Sequence, residues 1–333
     1  MAGPTPHPSA TPGRPDVDVL TNPRSERVRS VRRLSGRPAR VRAGLFLAEG
    51  PQAVREAVPS GAVQDLYGTA EALARHEDVV AEARRRGVPV RPCTEEVLAE
   101  MADTVTPQGL VAVCRPVDVP LPAVLARRPR LVAVLAEVRD PGNAGTVLRA
   151  ADAAGADAVV LTAGSVDPYN PKCVRATAGS LFHLDVVTGV GLPEAVAGLR
   201  GAGAAVLAAD GEGAEDLDDL ADAAHEGRGV LAGPVAWVFG TEATGLPPAA
   251  RALADAVVRV PLHGRAESLN LATAAAVCLY AAARAHRPGR RRPDGSPDGG
   301  PDGGPDGASD AGPGGSAVEG ARGTGREDAG GRA

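Results

Sequence analysis

A continuous apolar segment, LVAVLAEV at residues 131–138, constrains the fold of this chain more than any other feature. Its one charged residue is Glu137, so it lacks the alternation of a strand with one face in water. Such a segment is typical of a strand buried on both faces of a parallel sheet. Alternating helix and strand patterns follow it, beginning with a helix over 145–154. The sequence therefore predicts an α/β domain over 131–286.

A second, smaller α/β domain is predicted over 23–116, ahead of the large one. Residues 117–130 carry several prolines and arginines, which is a linker composition. The two ends, 1–22 and 287–333, are rich in Pro and Gly, and the second repeats Pro-Asp-Gly. Segments of this composition bury too little apolar surface to fold, so both ends are predicted to be disordered.

Positive charge is concentrated near the start of the smaller domain. The whole chain has a formal net charge of −5, yet eight arginines and a single acid, Glu26, lie between Arg24 and Arg42. Two interpretations fit this pattern: a solvated helical face, or an electrostatic footprint for the phosphate backbone of a nucleic acid. The second points to RNA or DNA as a partner.

The four cysteines, at positions 93, 114, 173 and 278, are too far apart in sequence for a zinc module. They are expected to be buried thiols in a reducing compartment. The longest apolar segments are too short to span a bilayer, and the N-terminus has no apolar stretch of signal-peptide length. We therefore expect a cytoplasmic protein with no metal site and no membrane association.

Rare residue types mark the places where chemistry is expected. The chain has four asparagines and one lysine. Asn143 lies in RDPGNAG, in a turn after the first large-domain strand, and Arg149 follows on the next helix near the carboxyl edge of the sheet. Open α/β sheets bind ligands at that edge. The alternative is structural, with Asn143 as a turn residue and Arg149 as a surface residue.

The single lysine, Lys172, is three residues from Arg175 in NPKCVRATAGS. This spacing places both cations on one face of a predicted helix, beside small residues. A phosphate-binding site and a charged outer helix face fit the spacing equally well.

The segment WVFGTEATGLP, 237–247, reads as a strand that ends at Gly240, with Glu242 just beyond. A glycine at a strand end lets a ligand approach the backbone. Glu242 would then contact the ligand or hold the loop. The other explanation for the glycines is structural: they end the strand and form the turn that follows it.

The segment VPLHGRAESLNLATAAAV, 260–277, reads as a strand end, a loop and a helix predicted over 267–286. Ser268 is a candidate cap for that helix, and Asn270 is expected within its first turn. Free amides at a helix start favour anionic groups. The alternative is a capped helix of the hydrophobic core with a structural role only.

Together, RDPGNAGTVLRAADAAGA, FGTEATGLP and VPLHGRAESLNLATAAAV resemble the three signature motifs of the SpoU/TrmH family of RNA ribose 2′-O-methyltransferases, in the SPOUT superfamily. The resemblance covers about residues 130–285. Residues 24–116 are similar to the ribosomal-protein-like substrate-binding domain often found ahead of that catalytic domain. The resemblance implies a trefoil knot in the C-terminal domain, a homodimer, and S-adenosylmethionine as the cofactor.

The resemblance also assigns residues to the site. The positions that match catalytic ones are Asn143, Arg149, Glu242, Ser268 and Asn270. Those that match cofactor contacts, mostly through backbone, are Phe239, Gly240, Val260, Leu262 and Leu269. Lys172 and Arg175 are the candidate substrate-binding residues.

The implied reaction is methyl transfer to a ribose 2′-hydroxyl of RNA, and the N-terminal domain favours 23S ribosomal RNA over transfer RNA. Arg149 suits stabilisation of the developing alkoxide because a guanidinium is effectively always protonated. The alternatives are a transfer-RNA methyltransferase and a non-catalytic RNA-binding protein that retains the fold. A nucleotide-dependent enzyme of ordinary doubly wound type is disfavoured, since the sequence has neither a dinucleotide fingerprint nor a P-loop.

Overall fold

The computed structural model describes residues 18–241 and 244–287. Residues 288–333 of the predicted disordered tail 287–333 and most of the predicted tail 1–22 lie outside the described residues, as does Glu242. The described chain forms two sheets, one of four strands and one of seven.

The small sheet has strands β1 (Phe46–Glu49), β2 (Val63–Thr69), β3 (Val90–Cys93) and β4 (Leu110–Cys114). Their order is β1-β4-β2-β3, and only β2 and β3 pair in parallel. The helices of this part are α1 (Glu26–Arg32), α2 (Arg37–Ala43), α3 (Pro51–Ser60), α4 (Ala70–Arg75), α5 (Glu77–Arg85) and α6 (Glu95–Met101). Side chains of Ser25, Thr69 and Thr94 cap α1, α4 and α6 by accepting from backbone N–H groups.

The large sheet is parallel throughout its described length. Its strands are β5 (Leu131–Leu135), β6 (Ala158–Thr162), β7 (Asp185–Val190), β8 (Ala205–Ala209), β9 (Glu215–Asp216), β10 (Val235–Phe239) and β11 (Ala256–Arg259). The strand order is β7-β6-β5-β10-β8-β11-β9. The predicted α/β class with a parallel sheet is confirmed.

Helices cover both faces of the large sheet. They are α7 (Leu121–Ala126), α8 (Pro141–Ala153), α9 (Pro171–Thr177), α10 (Leu192–Gly201), α11 (Leu217–His225), α12 (Pro248–Arg251) and α13 (Leu271–Ala285). Every residue of β5, β6 and β10 is buried, because alternate side chains enter two separate cores. The only tryptophan, Trp237 on β10, is fully buried in the core on the α8 and α13 side, with its ring 6.4 Å from that of Phe239.

Two segments are more regular than their composition predicts. The predicted linker 117–130 includes α7, where Leu121 and Val124 are buried against the large sheet. The acidic segment 211–228, whose composition predicts a mobile loop with a short helical piece, forms β9 and the nine-residue helix α11. In both cases apolar side chains spaced along a polar segment pack onto the sheet, and this burial outweighs the local composition.

Buried polar and aromatic groups join the two parts of the molecule. Arg40 on α2, only 5% exposed, donates through Nε and Nη2 to Asp167 after β6, at 3.1 and 2.6 Å. The Phe46 ring of β1 lies 4.6 Å from that of Tyr169. Separating the two parts would leave a buried charge without its partner, which is costly. The ion pair therefore holds the two parts together, and the ring contact adds to it.

All four cysteines are buried, free thiols, and burial raises the pKa of Cys93 to about 11. Within residues 18–241 and 244–287, no helix is long and apolar enough to cross a membrane. The same residues contain no cluster of His, Cys, Asp and Glu that could hold a metal ion. The domain boundaries and the trefoil knot stay predictions.

Candidate active site at the carboxyl edge of the large sheet

A cavity of about 730 Å³ opens where β8, β10 and β11 end. All five residues predicted to contact a cofactor line it: Phe239, Gly240, Val260, Leu262 and Leu269. Ser268 lines it as well. Because parallel strands present their carboxyl ends at one edge, three segments far apart in sequence meet here.

Gly240 is required by the backbone that closes one side of the cavity. A Cβ atom there would lie 2.3 Å from both the carbonyl carbon and the oxygen of Gly245, far inside van der Waals contact. Thr241 and Gly245 exchange two backbone hydrogen bonds, of 3.1 and 3.0 Å. The glycine therefore lets the chain double back and leaves peptide groups of the β10 end beside the cavity.

An acidic rim of the cavity was not anticipated from the sequence. Asp210 and Glu212 line it beside Arg251, whose Nη1 lies 2.9 Å from the Glu212 carboxylate and 3.5 Å from that of Asp210. Asp210 directly follows β8, so its place at a strand end was the available signal. The prediction missed it because the segment that directly follows Asp210, 211–228, reads as a mobile loop with a short helical piece.

Asn270 connects two helices at the site. Its side-chain oxygen accepts from the N–H groups of Ala272 and Thr273, so Asn270, not Ser268, is the N-cap of α13. The helix starts at Leu271, and the predicted start at 267 was wrong. The Asn270 Nδ2 donates to the Asn143 Oδ1 at 3.1 Å. Two residues at positions that match catalytic ones are thus in direct contact.

Asn143 lies inside a helix, because α8 begins at Pro141 rather than at 145. The Asp140 side chain caps this helix by accepting from the Asn143 N–H at 2.8 Å. The Asn143 N–H bond and the Lys172 ammonium, 3.0 Å away, lower the pKa of Asp140. Lys172 therefore contacts the start of α8 and not the cavity.

Arg149 lies on the third turn of α8 and is exposed. Its side chain forms no hydrogen bond or ion pair with any residue that the structure describes. It is six residues after Asn143, which places the two side chains about 120° apart around the helix axis. Arg149 is absent from the described lining of the cavity.

Arg175 is held away from the cavity by two carboxylates of the smaller part. Its Nη1 lies 3.0 Å from Glu49, whose side chain is 3% exposed, and its Nη2 lies 3.1 Å from Asp103. The structure brings together Asn143, Asn270, Ser268 and the five cavity residues. It places Lys172, Arg149 and Arg175 elsewhere, and Glu242 lies outside the described residues.

A parallel sheet with a cavity of cofactor size at its carboxyl edge defines an α/β enzyme. Two family models match the chain: the SpoU rRNA Methylase family over residues 130–280, and the MRM3-like substrate binding domain over residues 25–112. The chain belongs to the SpoU rRNA methylase family. This confirms the family that the three motifs indicated, and with it the enzyme class, an RNA ribose 2′-O-methyltransferase.

Curated relatives match over most of their length. The 23S rRNA (guanosine(2553)-2′-O)-methyltransferase RlmP of Bacillus subtilis is 31% identical over 78% of this chain and 97% of its own. The 23S rRNA (uridine(2479)-2′-O)-methyltransferase of Streptomyces viridochromogenes is 31% identical, over 77% of this chain and 88% of its own.

Solved structures match equally broadly. The AdoMet-bound rRNA methyltransferase from Sinorhizobium meliloti has a TM-score of 0.70 and 30% identity, covering 81% of this chain and 98% of that one. The SpoU methyltransferase AviRb from Streptomyces viridochromogenes, in complex with AdoMet, has a TM-score of 0.67 and 30% identity, covering 78% and 98%.

Proposed function

We propose that this protein transfers a methyl group from S-adenosylmethionine to a ribose 2′-hydroxyl of 23S ribosomal RNA. The observation that carries the proposal is the cavity in which all five predicted cofactor contacts meet, with the contact between Asn143 and Asn270 at the start of α13. Relatives that this chain matches along nearly their whole length are named 23S rRNA 2′-O-methyltransferases.

The cavity fits the cofactor in size and chemistry. Its volume of about 730 Å³ lies within the range of about 300–1,000 Å³ that small ligands occupy. Gly240, Val260 and Leu262 line the cavity, and their peptide groups would hydrogen-bond the adenine of the cofactor. The carboxylates of Asp210 and Glu212 can accept from ribose hydroxyls and favour a positively charged sulfonium.

The cofactor supplies an electrophilic methyl group, so the protein has mainly to align the acceptor hydroxyl and stabilise the charge that develops on it. Asn270, fixed by its bond to Asn143 and by the cap of α13, holds its part of the site rigid. Ser268 presents a hydroxyl in the cavity. Arg149, exposed and unpaired among the described residues, is free to place its guanidinium against a bound RNA.

The arginine-rich segment is proposed as the RNA footprint. Of its eight arginines, Arg32, Arg33 and Arg40 form ion pairs with acids. The other five form no ion pair with a described residue: Arg24, Arg27, Arg29, Arg37 and Arg42. Cations without acidic partners remain available to phosphate groups.

The remaining predictions stand as proposals: a substrate-binding domain over 23–116, a catalytic domain over 131–286, and a homodimer. An exposed apolar pair on α13, Val277 and Tyr280, supports the dimer, since it gives that helix an uncovered surface. Light scattering at micromolar concentration distinguishes a dimer from a monomer.

Two measurements test the proposed function. Calorimetry should detect binding of S-adenosylmethionine but not of NAD or ATP. Mapping of 2′-O-methylation should show one nucleotide of 23S rRNA unmodified in a deletion strain and restored by the wild-type gene. A lost methylation in transfer RNA instead would assign the other substrate, and cofactor binding without any lost methylation would indicate a non-catalytic RNA-binding protein.

A further inference from the structure

A second cavity, of about 460 Å³, lies between the two parts of the molecule. We refer to it as the inter-domain cleft. Its walls are α2 and the start of β1 on one side, and the loop that follows β6 on the other. Its volume is within the range that small ligands occupy. None of the residues predicted from the sequence as site residues lines it.

The cleft opens at the same edge of the large sheet as the cofactor cavity. Its floor is the carboxyl end of β6, including Thr162, and the end of β7, including Thr188. Only β5 separates β6 from β10, where the cofactor cavity begins. Neighbouring strands are about 4.8 Å apart, so the two strand ends are about 10 Å apart. One extended polymer chain can therefore occupy both cavities.

The lining suits a flat, uncharged group with a few polar atoms. Apolar wall atoms come from Val41, a residue that is 74% exposed, and from the loop after β6. Both acids of the lining are engaged: Asp167 by the buried Arg40, and Asp118 by the Tyr169 hydroxyl at 2.5 Å. The lining also holds two arginines, Arg37 and Arg40, so its formal charges balance and favour neither a cation nor an anion.

Two polar groups of the lining have no partner among the described residues. The Arg37 guanidinium forms no ion pair or side-chain hydrogen bond, and neither does the Thr188 hydroxyl. An Arg plane and a hydroxyl are the groups with which proteins stack and hydrogen-bond unpaired RNA bases. Arg37 lies on α2 in one wall of the cleft, and Thr188 lies on β7 in its floor.

The walls are held rigidly. Thr162 and Ser165 both donate through their hydroxyls to the Leu135 carbonyl, at 3.2 and 3.0 Å. On the other wall, Arg40 also donates to the carbonyls of Leu34 and Ser35. A cavity with fixed walls binds its ligand without a large ordering cost.

We propose that the inter-domain cleft binds one unstacked base of the RNA substrate, close along the chain to the ribose that is methylated. The inference rests on the proposed function. Arg37 stacks on the base or contacts its phosphate, and Thr188 hydrogen-bonds the base edge. The cleft thereby contributes to the choice of nucleotide, since the methylated ribose must lie at a fixed distance from a base that fits.

The test uses the full-length chain and a synthetic RNA stem-loop containing the nucleotide identified by methylation mapping. Arg37→Ser removes the guanidinium, and Thr188→Val removes the hydroxyl with little change of shape. Arg84→Ser is the matched control, because Arg84 is exposed on α5, forms no ion pair with a described residue and does not line the cleft. A companion set of RNAs carries an abasic site at each position flanking the target.

Arg37→Ser should raise the KM for RNA about tenfold, the effect of losing one stacking contact. Thr188→Val should raise it about threefold, within the range for one neutral hydrogen bond. S-adenosylmethionine affinity and melting temperature should not change, and Arg84→Ser should match the wild type. At one flanking position the abasic RNA should lower kcat/KM for the wild type but not further for Arg37→Ser.

Unchanged KM for RNA in both variants, or additive effects of Arg37→Ser and every abasic site, would overturn the proposal while the methyl transfer of the wild type stands. A wild-type protein that methylates no RNA would instead refute the proposed function, and the cleft assignment with it. The two failures are therefore distinguishable.

Discussion

The Asn270 side chain forms two kinds of hydrogen bond. Its oxygen caps α13, and its Nδ2 donates to Asn143. Two substitutions separate them. Asn270→Asp keeps a capping oxygen but places a carboxylate against the Asn143 oxygen, whereas Asn270→Ala removes both functions. Asn143 has further interactions, so the pair is one part of a larger network.

We expect Asn270→Asp to lower kcat at least tenfold with a melting temperature near that of the wild type. Asn270→Ala should lose activity as well and should be destabilised by about 1 kcal/mol, the usual effect of removing an N-cap. Thermal unfolding and single-turnover methylation measure the two effects. Wild-type activity in Asn270→Asp would show that the contact with Asn143 is structural only.

Arg149→Ala tests the chemical step. The side chain is exposed and has no partner among the described residues, so its removal should leave stability and S-adenosylmethionine affinity nearly unchanged. If the guanidinium stabilises the developing alkoxide, methyl transfer should fall by about two to three orders of magnitude. Activity within threefold of the wild type would contradict this role.

At the level of helices and strands, the buried strands were the most predictable elements. β5 and β10 have apolar residues throughout, so their sequence identifies them without knowledge of their neighbours. Helix starts were less predictable. α8 includes Pro141 and Gly142, which signal a turn locally, but the Asp140 cap and the contact of α8 with α9 extend the helix through them.

The site was predictable where its lining comes from motif residues at strand ends, as at Gly240 and Val260. The site was not predictable where a side chain forms an ion pair with an acid that is distant in sequence. Arg175 and Lys172 are near each other in sequence and share a helix, yet Arg175 pairs with Glu49 and Lys172 with Asp140. Those partners lie 126 and 32 residues away in sequence, so local spacing carries no information about them.

His183, next to a short 3₁₀ helix over Ser180–Phe182, gives a pH-dependent contact between elements. Its Nδ1 lies 2.9 Å from Asp152 on α8 and its Nε2 lies 3.1 Å from Glu56 on α3. The Asp152 carboxylate, and then that of Glu56, raise the pKa of His183. The stabilisation is therefore complete below the ordinary His pKa of about 6.5 and is lost as pH rises through the higher folded value.

We expect His183→Gln to lower the melting temperature most near pH 6, with a deficit that shrinks towards pH 9. Thermal unfolding across that range measures it. His225→Gln is the control, because His225 is exposed on α11 and forms no ion pair with a described residue. A deficit that does not vary with pH would show that packing, not the charge of His183, stabilises the contact.

For the whole molecule, the buried inter-domain contacts decide how RNA binding should be tested. Deleting residues 1–116 would leave Asp167 and Tyr169 without their partners Arg40 and Phe46, so the deletion would perturb the catalytic part itself. Point substitutions of unpaired arginines on the surface avoid this difficulty.

The triple variant Arg24→Ser, Arg29→Ser, Arg42→Ser should weaken RNA binding and flatten the slope of log affinity against log salt by about 2 to 3, since each phosphate contact contributes about 0.7 to 0.9. Its affinity for S-adenosylmethionine should not change. Filter binding over a salt series measures the slope. An unchanged slope would place the RNA footprint on another surface, such as that around Arg149.

Trp237 gives the molecule a built-in optical label for one of its two parts. It is the only tryptophan of the chain and is fully buried within the large sheet, so its emission follows the loosening of that sheet alone. Circular dichroism follows the helices and strands of both parts. If the two signals change at the same denaturant concentration, the parts melt as a single cooperative unit. If the two signals change at different denaturant concentrations, the contact between Arg40 and Asp167 breaks before both sheets have unfolded.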